Sequence, residues 1–211
     1  MPTAKICGLS TEATVDAAVA HGASHVGFVF FPKSPRNLDP AQAAALIRRV
    51  PPHVGKVGVF VDPDDALLDH AVASGVDTIQ LHGHESPERT AAVRARFGRR
   101  VWKAVSVRTR ADLADAPRYA QAADLILYDA KPPRGADLPG GLGLRFDWRL
   151  LAGFTHPLPW ALSGGLDADS VADAVHVTGA TLLDISSGVE SAPGVKDVDK
   201  IAAFLQSVAR S

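Results

Sequence analysis

The chain alternates short, nearly continuous apolar segments with longer stretches in which apolar residues recur at helical spacing. Apolar runs rich in β-branched and aromatic residues are typical of parallel strands that are buried on both faces. The runs are residues 4–7, 25–30, 56–61, 77–81, 101–105, 124–128, 159–162 and 181–185. A closed parallel barrel needs eight such strands. The pattern therefore predicts an α/β fold, a single (β/α)8 TIM barrel over residues 1–211.

The stretches between these strands carry helix start and stop signals. Asp62 is predicted to cap a helix that begins at Pro63 and ends at Gly75, and Asp167 to cap another that ends at Gly179. A doubly wound open sheet is the competing fold for such a pattern. No Gly-x-Gly-x-x-Gly follows an early strand, however, and the glycine turns that suit a phosphate lie late in the chain. The barrel is therefore preferred.

Two late strands run directly into small residues, Ser163-Gly164-Gly165 and Ser186-Ser187-Gly188. In a barrel these are the loops after strands seven and eight, which frequently form a phosphate site. Glycine lets the backbone N–H groups come close to an anion, and the N-terminus of a helix just beyond is expected to help. The residues predicted to hold a phosphate are Gly164, Gly165, Ser187 and Gly188.

The amino-acid composition limits the classes of partner that the protein can bind. The 22 Lys and Arg against 23 Asp and Glu give a formal charge of −1, which offers no broad basic surface for nucleic acid. Cys7 is the only cysteine, so an internal disulfide is excluded, and the first residues lack the regions of a signal peptide. No apolar run reaches the ~18 residues of a membrane span. We expect a cytoplasmic protein with a small-molecule partner, and no nucleic acid or membrane.

Three reactive side chains lie at predicted strand ends. Cys7 ends the first strand beside Gly8, where a thiolate could remove a proton, although a lone cysteine also serves as a small buried apolar residue. Asp129 follows the sixth strand and could keep and then donate a proton at an apolar edge; the alternative is a solvated acid that opens a loop. Asp184 is a similar candidate.

Arg36 and His82 are further candidates. Arg36 suits bidentate recognition of a carboxylate or phosphate, or else is simply exposed. His82 would form a polar wall of the site, or else be a hydrogen-bonded histidine at a strand end. With His84 it makes a His-x-His pair, but no carboxylate cluster accompanies it, so no metal site is predicted. The long loops 31–37 and 130–145 are expected on the face where barrels carry function.

Several short motifs follow one another in order along the whole chain. They are Lys5-Ile6-Cys7-Gly8, Gly27-Phe28-Val29-Phe30, Pro32-Lys33-Ser34-Pro35-Arg36, Val57-Gly58-Val59-Phe60-Val61, Gln80-Leu81-His82-Gly83, Phe146-Asp147-Trp148, Leu162-Ser163-Gly164-Gly165-Leu166 and Ser186-Ser187-Gly188-Val189-Glu190. Together these motifs closely resemble the phosphoribosylanthranilate isomerase family of tryptophan biosynthesis, and their order makes the resemblance far more specific than any one of them.

The resemblance implies a cofactor-free Amadori rearrangement of N-(5′-phosphoribosyl)anthranilate to 1-(2-carboxyphenylamino)-1-deoxyribulose 5-phosphate. Asp129 matches the general acid that protonates the ribose ring oxygen, and Cys7 matches the general base that takes the C2′ proton. By the same similarity Arg36 would engage the anthranilate carboxylate, the glycine turns would hold the phosphate, and Asp184 would orient the substrate's nitrogen or a hydroxyl. Relatives occur as monomers and dimers, so either a monomer or a homodimer is expected.

The chain departs from the family in the sixth loop. Relatives usually have Gly-Gly-Ser/Thr-Gly-Lys before Phe-Asp-Trp, whereas this chain has leucine at Leu142 and Leu144, and a basic group only at Arg145. Two alternatives to the isomerase remain, and the altered loop motivates the first. One is a barrel that binds a phosphorylated ligand, or regulates, without catalysis. The other is an isomerase or epimerase with a different substrate, such as the ribotide of the histidine pathway or a pentose phosphate.

Overall fold

A closed barrel of eight parallel strands forms the centre of the computed structural model, which describes residues 1–133, 135–136 and 138–211. Arg134 and Asp137, in the predicted loop 130–145, lie outside the described residues. Neighbouring strands pair in chain order and β8 pairs with β1, which confirms the predicted barrel. The strands are β1 Thr3–Cys7, β2 His25–Phe30, β3 Gly55–Phe60, β4 Thr78–Leu81, β5 Arg100–Val107, β6 Leu125–Ala130, β7 Trp160–Leu162 and β8 Leu182–Ile185.

Alternation along the strands produces two apolar layers. A smaller cluster that includes Val29, Val59, Trp102 and Leu127 fills the barrel, while the larger cluster lies between the strands and the helices. Full burial of each large apolar side chain contributes about 1.5–3 kcal/mol. Successive side chains on a strand point to opposite faces, so polar residues at interior positions are brought together inside the barrel.

Within the described residues, six α-helices surround the barrel: α1 Glu12–Ala20, α2 Pro40–Ile47, α3 Asp65–Ala73, α4 Pro87–Phe97, α5 Val171–Thr178 and α6 Val198–Arg210. In the fifth and sixth units, 3-10 segments at Arg110–Tyr119 and Trp148–Leu151 stand where the repeated pattern predicts amphipathic helices. Pro117 lies inside the first segment, and its ring and missing N–H disfavour a regular α-helix there. None of the helices among the described residues is both long and apolar enough to cross a membrane.

The predicted N-cap residue of α3 is wrong. The helix begins at Asp65, and the carboxylate of Asp64 accepts a hydrogen bond from the N–H of Leu67 at 2.8 Å. Asp62 instead has a φ of 46° and its carboxylate accepts from the N–H of His84 at 2.7 Å. Asp62 therefore ties two loops together and caps no helix.

The predicted start of α5 is also wrong. The helix begins at Val171 with Ser170 as its N-cap residue. The carboxylate of Asp167 accepts from the N–H of Ser170 at 2.8 Å and so closes a turn that precedes the helix. The predicted stop at Gly179 is confirmed, because this residue is the left-handed C-cap of α5 with φ 70°.

A short hairpin follows the last barrel strand. After a 3-10 turn at Ser187–Val189, strands β9 Glu190–Ala192 and β10 Val195–Lys196 pair antiparallel before α6 begins. This pairing places Lys196 opposite Glu190. The hairpin thereby brings a carboxylate and an ammonium to the loop region after β8.

Candidate active site

One cavity at the carboxyl ends of the strands is lined by all five titratable side chains that were predicted from the sequence as site residues. They are Cys7, Arg36, His82, Asp129 and Asp184. A second cavity is lined by both predicted glycine turns and shares Asp129 and Asp184 with the first. The structure therefore joins a region of acid, base and cationic groups to a region of glycine-rich backbone.

Cys7 ends β1 and is only 7% exposed, yet it lines the cavity. It lies in register with Gly27 of β2, where a Cβ atom would come within 3.0 Å of the Cys7 sulfur. Burial raises the pKa of the Cys7 thiol. The ammonium of Lys5 opposes this effect, while the carboxylate of Asp184 adds to it. A negative sulfur here thus depends on the neighbouring charges.

Lys5 is a fully buried cation inside the barrel. Its Nζ donates to Asp184 Oδ1 at 2.9 Å and to Gln80 Oε1 at 2.9 Å. Burial by itself would lower the pKa of Lys5, but the charges of Asp184 and Cys7 outweigh it and raise that pKa. Lys5 was not among the residues predicted from the sequence. The available signal was a lysine within an apolar strand two positions before Cys7, which puts both side chains on one face.

Asp129 is held by two hydrogen bonds and is 4% exposed. Its Oδ1 accepts from the N–H of Ala130 at 2.8 Å, and its Oδ2 lies 3.1 Å from His82 Nε2. Asp129 is therefore not a solvated acid that opens a loop. The two alternatives given for His82, a polar wall of the site and a hydrogen-bonded histidine at a strand end, are compatible, because it lines the cavity and is hydrogen-bonded just after β4.

Gly140 of the sixth loop packs against this pair. A Cβ atom at Gly140 would lie 2.6 Å from Asp129 Oδ2 and 2.9 Å from His82 Nε2. Any side chain larger than hydrogen would therefore push the loop or the pair aside. The close approach of backbone covers the carboxylate of Asp129 and limits its contact with water.

Arg36 is buried rather than exposed, at 5% relative exposure. Its Nε donates to Glu190 Oε1 at 2.7 Å, and its Nη2 donates to Glu190 Oε2 at 2.8 Å and to the carbonyl of Gly141 at 3.0 Å. Lys196 Nζ also donates to Glu190 Oε1, at 2.7 Å. Burial by itself would raise the pKa of Glu190, but these two cations outweigh it and lower that pKa. Glu190 and Lys196 received no predicted role.

The glycine turn after β7 exposes backbone donors to the second cavity. Gly164 and Gly165 have φ values of 88° and 67°, which side chains rarely tolerate. Among the described residues, no hydrogen bond uses the N–H of either glycine. The α-helix that follows starts only at Val171, beyond a turn, so its N-terminus comes later in the chain than predicted.

Arg145 supports this turn from outside. Its Nε and Nη2 donate to the carbonyl of Gly165 at 3.0 and 2.6 Å, and its guanidinium lies 4.4 Å from the ring centre of Trp148. Leu142, by contrast, lines the second cavity and is exposed. The altered sixth loop thus adds an apolar residue to the lining of this cavity and a cation beside the turn.

His82 and His84 do not form a joint site. The side chain of His84 is 95% exposed and its Nδ1 lies 3.4 Å from Asp62 Oδ2. Across the described ranges there is no group of three or more His, Cys, Asp or Glu residues able to hold a metal ion.

These features define a class: (β/α)8 barrels with a glycine turn after each of the last two strands and titratable groups around the adjoining mouth. The family model described as N-(5′-phosphoribosyl)anthranilate (PRA) isomerase matches residues 4–207. The chain belongs to this family, and the resemblance seen in the sequence is confirmed.

Relatives support the assignment along the whole chain. The N-(5′-phosphoribosyl)anthranilate isomerase of Zymomonas mobilis subsp. mobilis is 60% identical over 205 residues, covering 97% of this chain and 96% of the relative. A crystal structure of monomers generated from the dimeric enzyme of Thermotoga maritima has a TM-score of 0.86 and 35% identity. A complex of a phosphoribosylanthranilate isomerase with reduced 1-(o-carboxyphenylamino)-1-deoxyribulose 5-phosphate has a TM-score of 0.87 and 34% identity. Both structures cover 100% of this chain and are themselves covered fully.

Proposed function

We propose that the protein isomerises N-(5′-phosphoribosyl)anthranilate to 1-(2-carboxyphenylamino)-1-deoxyribulose 5-phosphate, a step of tryptophan biosynthesis. The observation that carries the proposal is that Cys7 and Asp129 line one cavity and that Asp129 also lines the cavity of the glycine turns. An acid, a base and an anion site are the parts that this rearrangement needs. The related complex with a reduced carboxyphenylamino deoxyribulose phosphate supports the same substrate class.

The first step opens the ribose ring. Asp129 donates its proton to the ring oxygen as the bond from that oxygen to C1′ breaks. The lone pair of the anthranilate nitrogen forms a C=N bond to C1′, which gives a protonated Schiff base. Burial of Asp129 under Gly140 favours this transfer because bulk water does not compete for the proton.

The second step removes a proton from C2′. The thiolate of Cys7 takes it, and the electron pair of the C2′–H bond forms a C1′=C2′ bond while the nitrogen regains its lone pair. The resulting enolamine gives the proton of its C2′ hydroxyl to the Asp129 carboxylate and takes at C1′ the proton held by Cys7, which yields the ketone and restores both groups. The nearby ammonium of Lys5 stabilises the negative sulfur. Substrate and product are isomers, so the reaction consumes no further reagent.

Charge and hydrogen bonding would orient the substrate. Glu190 already engages Nε and Nη2 of Arg36, so the proposed contact with the anthranilate carboxylate uses mainly Nη1. The phosphate is assigned to backbone and hydroxyl donors of the glycine turns, namely Gly164, Gly165, Ser187 and Gly188. Asp184 lines both cavities, which suits contact with a sugar hydroxyl or the nitrogen. A phosphorylated small molecule is thus the proposed partner.

The test uses purified wild type and the variants Cys7→Ala and Asp129→Asn, with chromatographic separation of substrate and product. Each variant should lose about 100-fold or more in kcat while still binding the reduced product analogue. Asp69→Asn, which changes an exposed carboxylate in the same way, should keep full activity. Full activity in either site variant would refute the assigned roles.

Substrate competition tests the alternatives. The wild type is assayed with the anthranilate substrate and with the histidine-pathway ribotide side by side. Faster turnover of the ribotide would support the alternative substrate. Ligand binding without turnover of either compound would support a binding or regulatory protein.

A further inference from the structure

We propose that Gln80 is a positioning residue that fixes His82 as the neutral tautomer with its proton on Nε2, the nitrogen facing Asp129. The value of this tautomer for catalysis rests on the function proposed above. The geometry that sets it does not.

Gln80 joins a buried cation to the imidazole. It is 1% exposed and points into the barrel from β4. Its Oε1 accepts from Lys5 Nζ at 2.9 Å, and its Nε2 lies 3.0 Å from His82 Nδ1. The other ring nitrogen, His82 Nε2, lies 3.1 Å from Asp129 Oδ2. An unbroken chain of hydrogen bonds thus runs from Lys5 to Asp129.

Lys5 fixes the orientation of the Gln80 amide. An ammonium group can only donate, so the amide oxygen must face Lys5 and the NH₂ group must face His82. Asp184 accepts from the same ammonium at 2.9 Å and so holds it beside the amide oxygen of Gln80. The direction of the amide therefore follows from charge and not from the shape of the side chain.

A donor opposite His82 Nδ1 decides the state of the ring. Nδ1 must offer a lone pair, so a neutral imidazole carries its proton on Nε2. An imidazolium would set an N–H against the NH₂ of Gln80. Rotating the amide to relieve this contact would turn the NH₂ group toward Lys5, a second repulsive arrangement. Both arrangements lose hydrogen bonds in a buried site, which is costly.

The fixed tautomer serves Asp129 as a general acid. As Asp129 gives up its proton, charge grows on the carboxylate, and the bond from His82 Nε2–H becomes charge-assisted and stronger. An imidazolium would instead favour ionised Asp129 before the substrate arrives, and no proton would remain to give. A neutral donor supports the transfer without triggering it early.

Nitrogen-15 NMR of the free protein reads the tautomer directly. The chain has 8 His, and the variant His82→Asn assigns the resonances of His82. The wild type should show an unprotonated Nδ1 and a protonated Nε2. A protonated Nδ1 in the wild type would overturn the proposal.

Two substitutions at Gln80 test the cause. Gln80→Glu puts an acceptor opposite Nδ1, so Nδ1 of His82 should become protonated. Gln80→Met removes the donor, so the two tautomers should mix; this variant also serves if the glutamate variant fails to fold. Gln121→Glu makes the same change at an exposed position and should leave the ring unchanged. An unaltered His82 in folded Gln80 variants would overturn the proposal.

Kinetics separate this proposal from the proposed function. Gln80→Glu should lower kcat by about 10-fold or more, part of the ~10²–10⁴-fold that a positioned acid supplies, with KM little changed. An inactive wild type with the expected tautomer would refute the function and leave the tautomer assignment standing. An active wild type whose kcat does not respond to a changed tautomer would refute the catalytic part of the inference.

Discussion

Arg36 and Glu190 form a buried bidentate ion pair, with nitrogen to oxygen distances of 2.7 and 2.8 Å. Lys196 shares the same carboxylate, so one acid balances two cations. The guanidinium proposed to meet the substrate is therefore held from behind, and its orientation depends on a residue after β8.

Glu190→Ala should weaken both folding and substrate binding. Removing one partner of a buried pair leaves uncompensated charge, so the free energy of unfolding should fall by about 3–5 kcal/mol. KM should rise more than kcat falls, because Arg36 loses its orientation. Urea unfolding and steady-state kinetics measure the two effects. The matched control is Glu12→Ala, in an exposed pair with Arg49, which should cost no more than about 1 kcal/mol. Equal losses in both variants would contradict the expectation.

His25 should make stability depend on pH. Burial, then the nearby charges of Lys5 and Arg100, lowers the pKa of His25 from its usual value of about 6.5 to about 4, although Asp77 opposes this. Between these values the unfolded chain binds a proton that the folded protein does not. The free energy of unfolding should therefore fall as pH drops from about 6.5 to about 4, by at most about 3 kcal/mol.

Denaturant unfolding across this pH range checks the contribution of His25. His25→Asn should flatten the decline, since no titrating group remains at that position. His53→Asn, at an exposed site, should leave the slope unchanged. A wild-type slope retained in His25→Asn would assign the effect to other groups.

Lys5→Met should suppress the reactivity of Cys7. The ammonium of Lys5 opposes the effect of burial on the pKa of the thiol, and without it only Lys196 still opposes burial and Asp184. Alkylation by iodoacetamide at pH 8 should slow by about 10-fold or more, because the thiolate is the reactive form. Cys7 is the only cysteine, so the signal belongs to one site. Lys33→Met serves as the exposed control. Asp184→Asn in the Lys5→Met background should restore part of the rate; no restoration would argue against an electrostatic cause.

Arg145→Ala should weaken binding of the phosphate group. Its guanidinium holds the carbonyl of Gly165 with two hydrogen bonds, and its partial exposure keeps their value near 1 kcal/mol. KM should rise about fivefold with kcat nearly unchanged. Arg149→Ala removes an exposed arginine that pairs with Asp147 and should have no such effect. An unchanged KM in Arg145→Ala would show that the glycine turn needs no support from this side chain.

The strands were predictable because each is a short apolar run between polar segments. Such a run is typical of a parallel strand that is buried on both faces. The starts of the helices were harder to predict, because Asp62 and Asp64 are both suitable N-cap residues. In the structure Asp64 caps α3, while Asp62 accepts a tertiary hydrogen bond from the N–H of His84. In the first 3-10 segment Pro117 disfavours the regular α-helix that the repeated pattern predicted.

Candidate residues at strand ends could be proposed because parallel strands bring their carboxyl ends to one rim. The residues that hydrogen-bond to these candidates could not be predicted in the same way. Lys5 pairs with Asp184 across a sequence separation of 179, and this contact exists only once the barrel closes. Gln80 links Lys5 to His82 through distances that no linear pattern contains.

Lys5 and Asp184 are also register partners on the first and last strands of the barrel. The pairing of β1 with β8, which closes the barrel, is thus stabilised by the same two charged groups that surround the thiol. During synthesis β1 emerges before β8, so a chain that stops before residue 182 carries Lys5 and Cys7 without Asp184. The burial and the carboxylate that raise the pKa of the thiol are therefore both in place only when the barrel closes.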